Sequence, residues 1–162
     1  MPSTNIPDYR NIDYRGFAFV VHEVHGMLLL HCTRKPKKGP HFQLPGGHID
    51  DYEFKYAAEK CGTGASPNTI LLEAAKMGTA RELFEETGID VRGQLHRLHE
   101  APLFPKSDRG CMNMLKNKSY FNLTVTDIDF RNSNDEDDES LRRPLDNNGS
   151  HLAVSLCLYY NL

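Results

Sequence analysis

The chain has 162 residues, a formal net charge of -3, 39% hydrophobic and 25% charged residues. That is room for one domain around one core, with the composition of a globular protein. The slight negative charge excludes a general electrostatic drive toward nucleic acid or anionic membrane, so neither partner is expected and any phosphate binding must come from local features.

Residues 1–14 are polar and contain Pro2 and Pro7, which predicts an N-terminal arm ahead of a single domain over 15–162. A basic region followed by an apolar stretch is missing at the N-terminus, and no apolar run is long enough to span a bilayer. Cys32, Cys61, Cys111 and Cys157 are widely spaced, without a C-x-x-C pair, and read as reduced thiols. A cytoplasmic, or more broadly intracellular, location is the expectation, with an organelle left open.

Gly16 to Val24 is rich in Phe and Val and predicts a β-strand. His25-Gly26 is a turn, and Met27 to Thr33 is the returning strand of a hairpin. Arg34 to Pro40 is a basic loop that includes Lys35, Lys37 and Lys38. It leads through Phe42-Gln43-Leu44 to a sharp turn at Pro45-Gly46-Gly47. Residues 51–69 read as an inserted loop, because Cys61 to Thr69 is small, polar and turn-rich. Ser66, Pro67 or Asn68 then starts a helix running from about Ile70 to Thr87 and capped by Gly88. Leu95 to Glu100 and Ser119 to Asp127 predict strands. Residues 131–150 are acidic and Asn-rich, which predicts a flexible solvated loop. Ala153 to Tyr160 is a last strand. Strands flanking one strong helix indicate a mixed α/β domain.

At about 100° per residue, Glu82, Glu85 and Glu86 fall within one arc of the helix. Gly78 lies on the same side, where a missing side chain leaves space. Met77, Ala80, Leu83 and Phe84 turn toward the core. Carboxylates on one stripe repel each other unless cations answer them. A hard divalent cation with oxygen ligands does so, Mg²⁺ above all where phosphates supply further oxygens. A solvated acidic helix face is the bland alternative for such a cluster taken alone.

The string Gly46-Gly47, Glu73, Arg81-Glu82-Leu83, Glu85-Glu86, Gly88-Ile89 resembles the signature of the Nudix hydrolases, G-x5-E-x7-R-E-U-x-E-E-x-G-U with U aliphatic. From Glu73 to Ile89 the spacing matches throughout. The resemblance implies an α/β/α sandwich with a mixed sheet and hydrolysis of a nucleoside diphosphate linked to another moiety. It implies Mg²⁺, with Mn²⁺ as a substitute, held by Glu82, Glu85, Glu86 and the Gly46 carbonyl. It also implies that Arg81 positions the carboxylates and that Glu73 and Gly88 are structural or electrostatic members of the motif. The departure is upstream: 25 residues separate Gly47 from Glu73 where the signature has five, an insertion of about twenty.

In that reaction water attacks one phosphorus of the pyrophosphate link, with Glu85 as first candidate for general base and Glu82 and Arg81 beside it. Glu100 and the run Asp135 to Glu139 are alternative bases. Arg34, Lys37 and Lys38, with Gly47, are candidates for substrate binding. A basic patch there suits dinucleoside polyphosphates or diphosphoinositol polyphosphates, whereas Phe42 to His48 resembles the lead-in of members that cleave nucleoside triphosphates. Phe19, Tyr120 and Phe121 are candidates for stacking on a base, though strand aromatics are more often core. His22, His25, His41 and His48 lie near the expected site and read first as polar surface residues. A catalytically weak, nucleotide-binding or regulatory module of the same fold is the competing reading, and a homodimer is compatible with either.

Overall fold

In the computed structural model, the described residues are 13–32, 39–101, 117–131 and 155–160, with the backbone alone for 130–131 and 155–160. They form β1 (Arg15–His22), β2 (Gly26–Cys32), β3 (His41–Gln43), β4 (Gly46–His48), α1 (Asp51–Cys61), α2 (Pro67–Thr87), a 3-10 turn (Leu95–Arg97), β5 (His99–Glu100), β6 (Lys118–Val125), α3 (Asp127–Arg131) and β7 (Ser155–Tyr160). The basic loop at Arg34, Lys37 and Lys38, and the acidic run Asp135 to Glu139, lie outside the described residues.

The strands join in one mixed sheet, in the order β3-β2-β1-β6-β5, with β4 paired to β1 and β7 to β2. β1 and β6 run parallel in register from Arg15↔Lys118 to His22↔Val125. A parallel pair needs a long crossover, and α2 lies within it. β1 also pairs antiparallel with β4 over residues 15–17 and with β2 at Val21 and His22. It thus carries the hairpin at one end and the glycine turn at the other.

Alternation along β1 buries Gly16, Ala18, Val20 and His22 on one face. Ala75, Ala80 and Leu83 of α2 join Ala18, Val20, Leu28, Leu30, Phe121, Leu123 and Val125 in the main core. The approach is close: a Cβ on Gly16 would sit 2.0 Å from Thr79 Oγ1. Small residues on α2 (Ala74, Ala75, Gly78, Thr79, Ala80) allow this, and they let α1 pack on the helix from the outer side. A second apolar cluster of Ile49, Phe54, Ala57, Ile70 and Ala74 joins α1 to α2. The described residues therefore supply one helical layer, α2 backed by α1. The opposite face of β1 and β6 carries half-buried Phe17, Phe19 and Tyr120, with Tyr120 stacked on Phe17 at 5.4 Å and on Phe19 at 6.0 Å. Phe121 points into the core and is fully buried, so it is no stacking platform.

Three local readings change. Residues 51–61 are helix rather than loop, because Glu53 reaches back to accept the Asp50 N–H at 2.8 Å and Phe54 and Ala57 supply a buried stripe. Of the segment expected as a strand from Leu95, only His99–Glu100 is strand; Leu95–Arg97 makes a 3-10 turn. Strand β6 ends at Val125, and Asp127 begins a short helix whose Asp129 accepts bonds from Arg97 at 2.7 Å and Thr126 N–H at 2.8 Å. The Arg97 hydrogen bond holds the Asp129 carboxyl below the usual carboxylate range, against some burial.

At the hairpin, His22 Nδ1 accepts the N–H of Val24 and of His25. The ring proton therefore sits on Nε2, 3.1 Å from Asp127. His22, His25 and Asp127 come within 4.8 Å of one another, but the tautomer makes this group a lock on the hairpin turn. Among the described residues, no helix is long and apolar enough to cross a membrane.

Candidate active site

Helix α2 starts where its sequence directs: Ser66 caps the N-terminus through Thr69 N–H, and Pro67 occupies the first turn. It stops at Gly88, whose φ of +79° is left-handed and whose N–H bonds Phe84 O at 2.8 Å. The last turns carry Arg81, Glu82, Glu85 and Glu86 past the glycine turn of β4. Two hydrogen bonds and one close approach fasten the two segments. Gly46 N–H donates to Glu86 Oε2 at 2.8 Å, and Arg81 Nη2 donates to the His48 carbonyl at 2.8 Å. Gly47 lies so close to Glu82 that a Cβ would meet its carboxylate at 2.5–2.8 Å. Gly46 itself has φ +140°, and a Cβ there would strike Gly16 O at 2.2 Å. Both glycines are thus fixed by close approach, Gly46 to strand β1 and Gly47 to a carboxylate.

Arg81 is the hub. Its Nε donates to Glu53 Oε1 at 2.9 Å, and Nη1 donates to Glu82 at 2.9 Å and to Glu85 at 3.4 Å. Its Nη2 also lies 3.3 Å from Asp50. Four carboxylates on one guanidinium leave a local charge of -3. Burial works against the charge on Arg81, but the Glu53 bond and the attraction of Glu53 and Glu82 outweigh it and raise its pKa further. Burial raises the Glu82 carboxyl; Arg81 pulls it back, and Glu85 and Asp50 push it up again.

Glu53, which the sequence reading missed, is the buried anchor, with 1% of its side chain exposed. One oxygen accepts Arg81 and the Tyr52 hydroxyl; the other accepts Asp50 N–H at 2.8 Å. Burial raises the Tyr52 phenol, which keeps it a donor. The space beside Gly78 is filled by this group: a Cβ there would meet Ile49 and the Glu53 carboxylate at 2.5 and 2.6 Å. It is therefore not room for a cation. The signal was in the sequence, since five residues separate Gly47 from Glu53. Glu53 thus stands at the five-residue spacing after Gly47, and Glu73 at the seven-residue spacing before Arg81.

Glu73 has a different partner. It pairs with Lys60 across the α1–α2 interface. With Lys60 half-exposed, such a pair contributes at most about 1 kcal/mol. Glu73→Gln is therefore expected to change stability by no more than that and to leave turnover unaltered, as thermal melts beside activity assays would read.

The remaining candidates are dispersed. His48 and Asp50 face each other at 3.2 Å, and His41 bonds Gly39 O. Glu100 is exposed on β5, two strands from β1 at the sheet edge. The ligand atoms of Glu82, Glu85 and Glu86 do not all lie within 4.8 Å of one another. Arg81 holds the first two, and Glu86 turns to the Gly46 amide. What the arrangement offers is an oxygen-only donor set with surplus negative charge beside a glycine turn, which suits a hard divalent cation. No protein-family profile, curated protein or solved structure matches the chain.

Proposed function

We propose that the chain is a Mg²⁺-dependent hydrolase of the Nudix type that cleaves the pyrophosphate link of a nucleoside diphosphate joined to another moiety. The observation that carries this reading is the joining of the two halves of the motif. Gly46, Gly47 and His48 meet Glu86, Glu82 and Arg81 despite the long intervening segment. An acidic helix face without function has no need of a glycine turn packed against its carboxylates.

In this reading Glu82, Glu85, Glu86 and the Gly46 carbonyl would hold the cation. When bound, it would neutralise phosphate oxygens and acidify a water molecule. Arg81 orients Glu82 and Glu85, and Glu53 keeps Arg81 in place. Glu85, the most exposed of the three with 44% of its side chain accessible, takes the proton of the attacking water. The new oxygen–phosphorus bond forms as the bridging oxygen leaves with the departing phosphate.

Cation binding tests the donor set independently of turnover. Mn²⁺ titration followed by electron paramagnetic resonance is expected to show a site that Mg²⁺ competes for. Gly47→Ala would push the flexible Glu82 carboxylate aside without disturbing the core. It is expected to weaken Mn²⁺ about 10- to 100-fold, as changes around ligands do, while the melting temperature stays near that of the wild type. Wild-type affinity in Gly47→Ala would remove Glu82 from the donor set.

A further inference from the structure

Between α1 and α2, against the Arg81–Glu53 pair, lies a cavity of about 330 Å³. Its size is at the lower end of small-molecule sites. Tyr52 and Tyr56, one helical turn apart on α1, are 53% and 57% exposed and form one wall. Met77 of α2 and Leu95 beyond it supply apolar surface, and Arg81 and Arg92 border them. Arg92 rests on the Phe84 ring at 3.8 Å and pairs with Asp90 at 2.8 Å, so its position is fixed.

We propose that this cavity is a binding subsite for the nucleobase of a nucleoside diphosphate compound, with helix α1 as its stacking wall. Two exposed aromatic rings at one-turn spacing beside apolar walls suit a flat aromatic group, which stacks without needing a fixed hydrogen-bond pattern. Of the bordering guanidinium groups, Arg81 is taken up by its carboxylates, and Arg92, paired with Asp90 alone, suits an attached phosphate. Arg81 lines the cavity and also holds Glu82 and Glu85. A ligand seated there therefore has its phosphates beside the glutamate stripe. The orientation rests on the hydrolase reading; the binding of the base does not.

The test compares ADP with inorganic pyrophosphate in wild type, Tyr56→Ala and Tyr56→Phe. Binding is read by calorimetry in a Glu85→Gln background, and turnover of an ADP-linked substrate is read in the otherwise native chain. Tyr56→Ala is expected to weaken ADP about 10- to 100-fold, the loss typical of one stacked base. It should raise KM for the ADP-linked substrate similarly while kcat holds. Tyr56→Phe should bind ADP as wild type does, and all three should bind pyrophosphate equally. Unchanged ADP affinity in Tyr56→Ala, or an equal loss for pyrophosphate, would overturn the subsite. ADP binding that depends on Tyr56 without any turnover would uphold the subsite and overturn the hydrolase reading instead.

Discussion

Glu85→Gln is expected to lower turnover about 10²- to 10⁴-fold, the range for loss of a general base, while the fold keeps its stability. Glu85 is exposed and sits in the last turns of α2, and its bond to Arg81, at 3.4 Å, is the longest the guanidinium makes. An exposed pair of that length adds little to stability, and glutamine is nearly as good a helix former as glutamate. The change removes one negative charge and one basic oxygen from the stripe and leaves its shape intact. Steady-state kinetics beside a thermal melt separates the two effects. A wild-type kcat in the variant would take Glu85 out of the chemistry.

Glu53→Ala is expected to produce the largest loss of stability, about 3 kcal/mol, at the low end of the range for breaking a buried ion pair. The full range does not apply because Arg81 keeps Glu82, Glu85 and the His48 carbonyl. What is lost is the partner on Nε, the acceptor for Asp50 N–H and the acceptor for the Tyr52 hydroxyl. In a chain of this size the loss corresponds to about 2–4 °C of melting temperature per kcal/mol. Glu53→Gln preserves the shape and an acceptor, so it should cost less stability yet still lower turnover, because Arg81 is held less firmly over Glu82 and Glu85. The contrast with Glu73→Gln is the sharp part. If Glu73→Gln destabilises as much as Glu53→Ala, the assignment of Glu53 as the anchor fails.

The parts of the fold set by local periodicity were legible. Alternation in β1 and β6 follows from burying one face, and Ser66, Pro67 and Gly88 mark the ends of α2 by cap chemistry. Helix α1 was not read, because the Gly, Thr and Ser residues after Cys61 coloured the whole segment. Its own evidence was short: Asp50 and Glu53 at capping-box spacing, then Phe54 and Ala57 on one face. Glu53 was missed for a related reason. Two glutamates satisfy parts of the same motif, Glu53 by its spacing from Gly47 and Glu73 by its spacing to Arg81. Only the packing of α1 on α2 decides which one reaches the guanidinium. The stripe itself was legible as a face of the helix. Arg81 reaches Glu82 and Glu85 within its own helix, but the hold of Gly46 N–H on Glu86 and of the His48 carbonyl on Arg81 depends on contacts across 40 and 33 residues of sequence, which helical geometry alone does not contain.

The most direct test is hydrolysis itself. The chain would be incubated with Mg²⁺ in ¹⁸O-labelled water with nucleoside triphosphates, dinucleoside polyphosphates and nucleoside diphosphate conjugates, the products being read by mass spectrometry. Cleavage of a phosphoanhydride bond is expected in at least one class, with the label in one product phosphate, abolished by chelation of the metal and restored by Mg²⁺. No turnover of any class, or turnover indifferent to chelation, would contradict it.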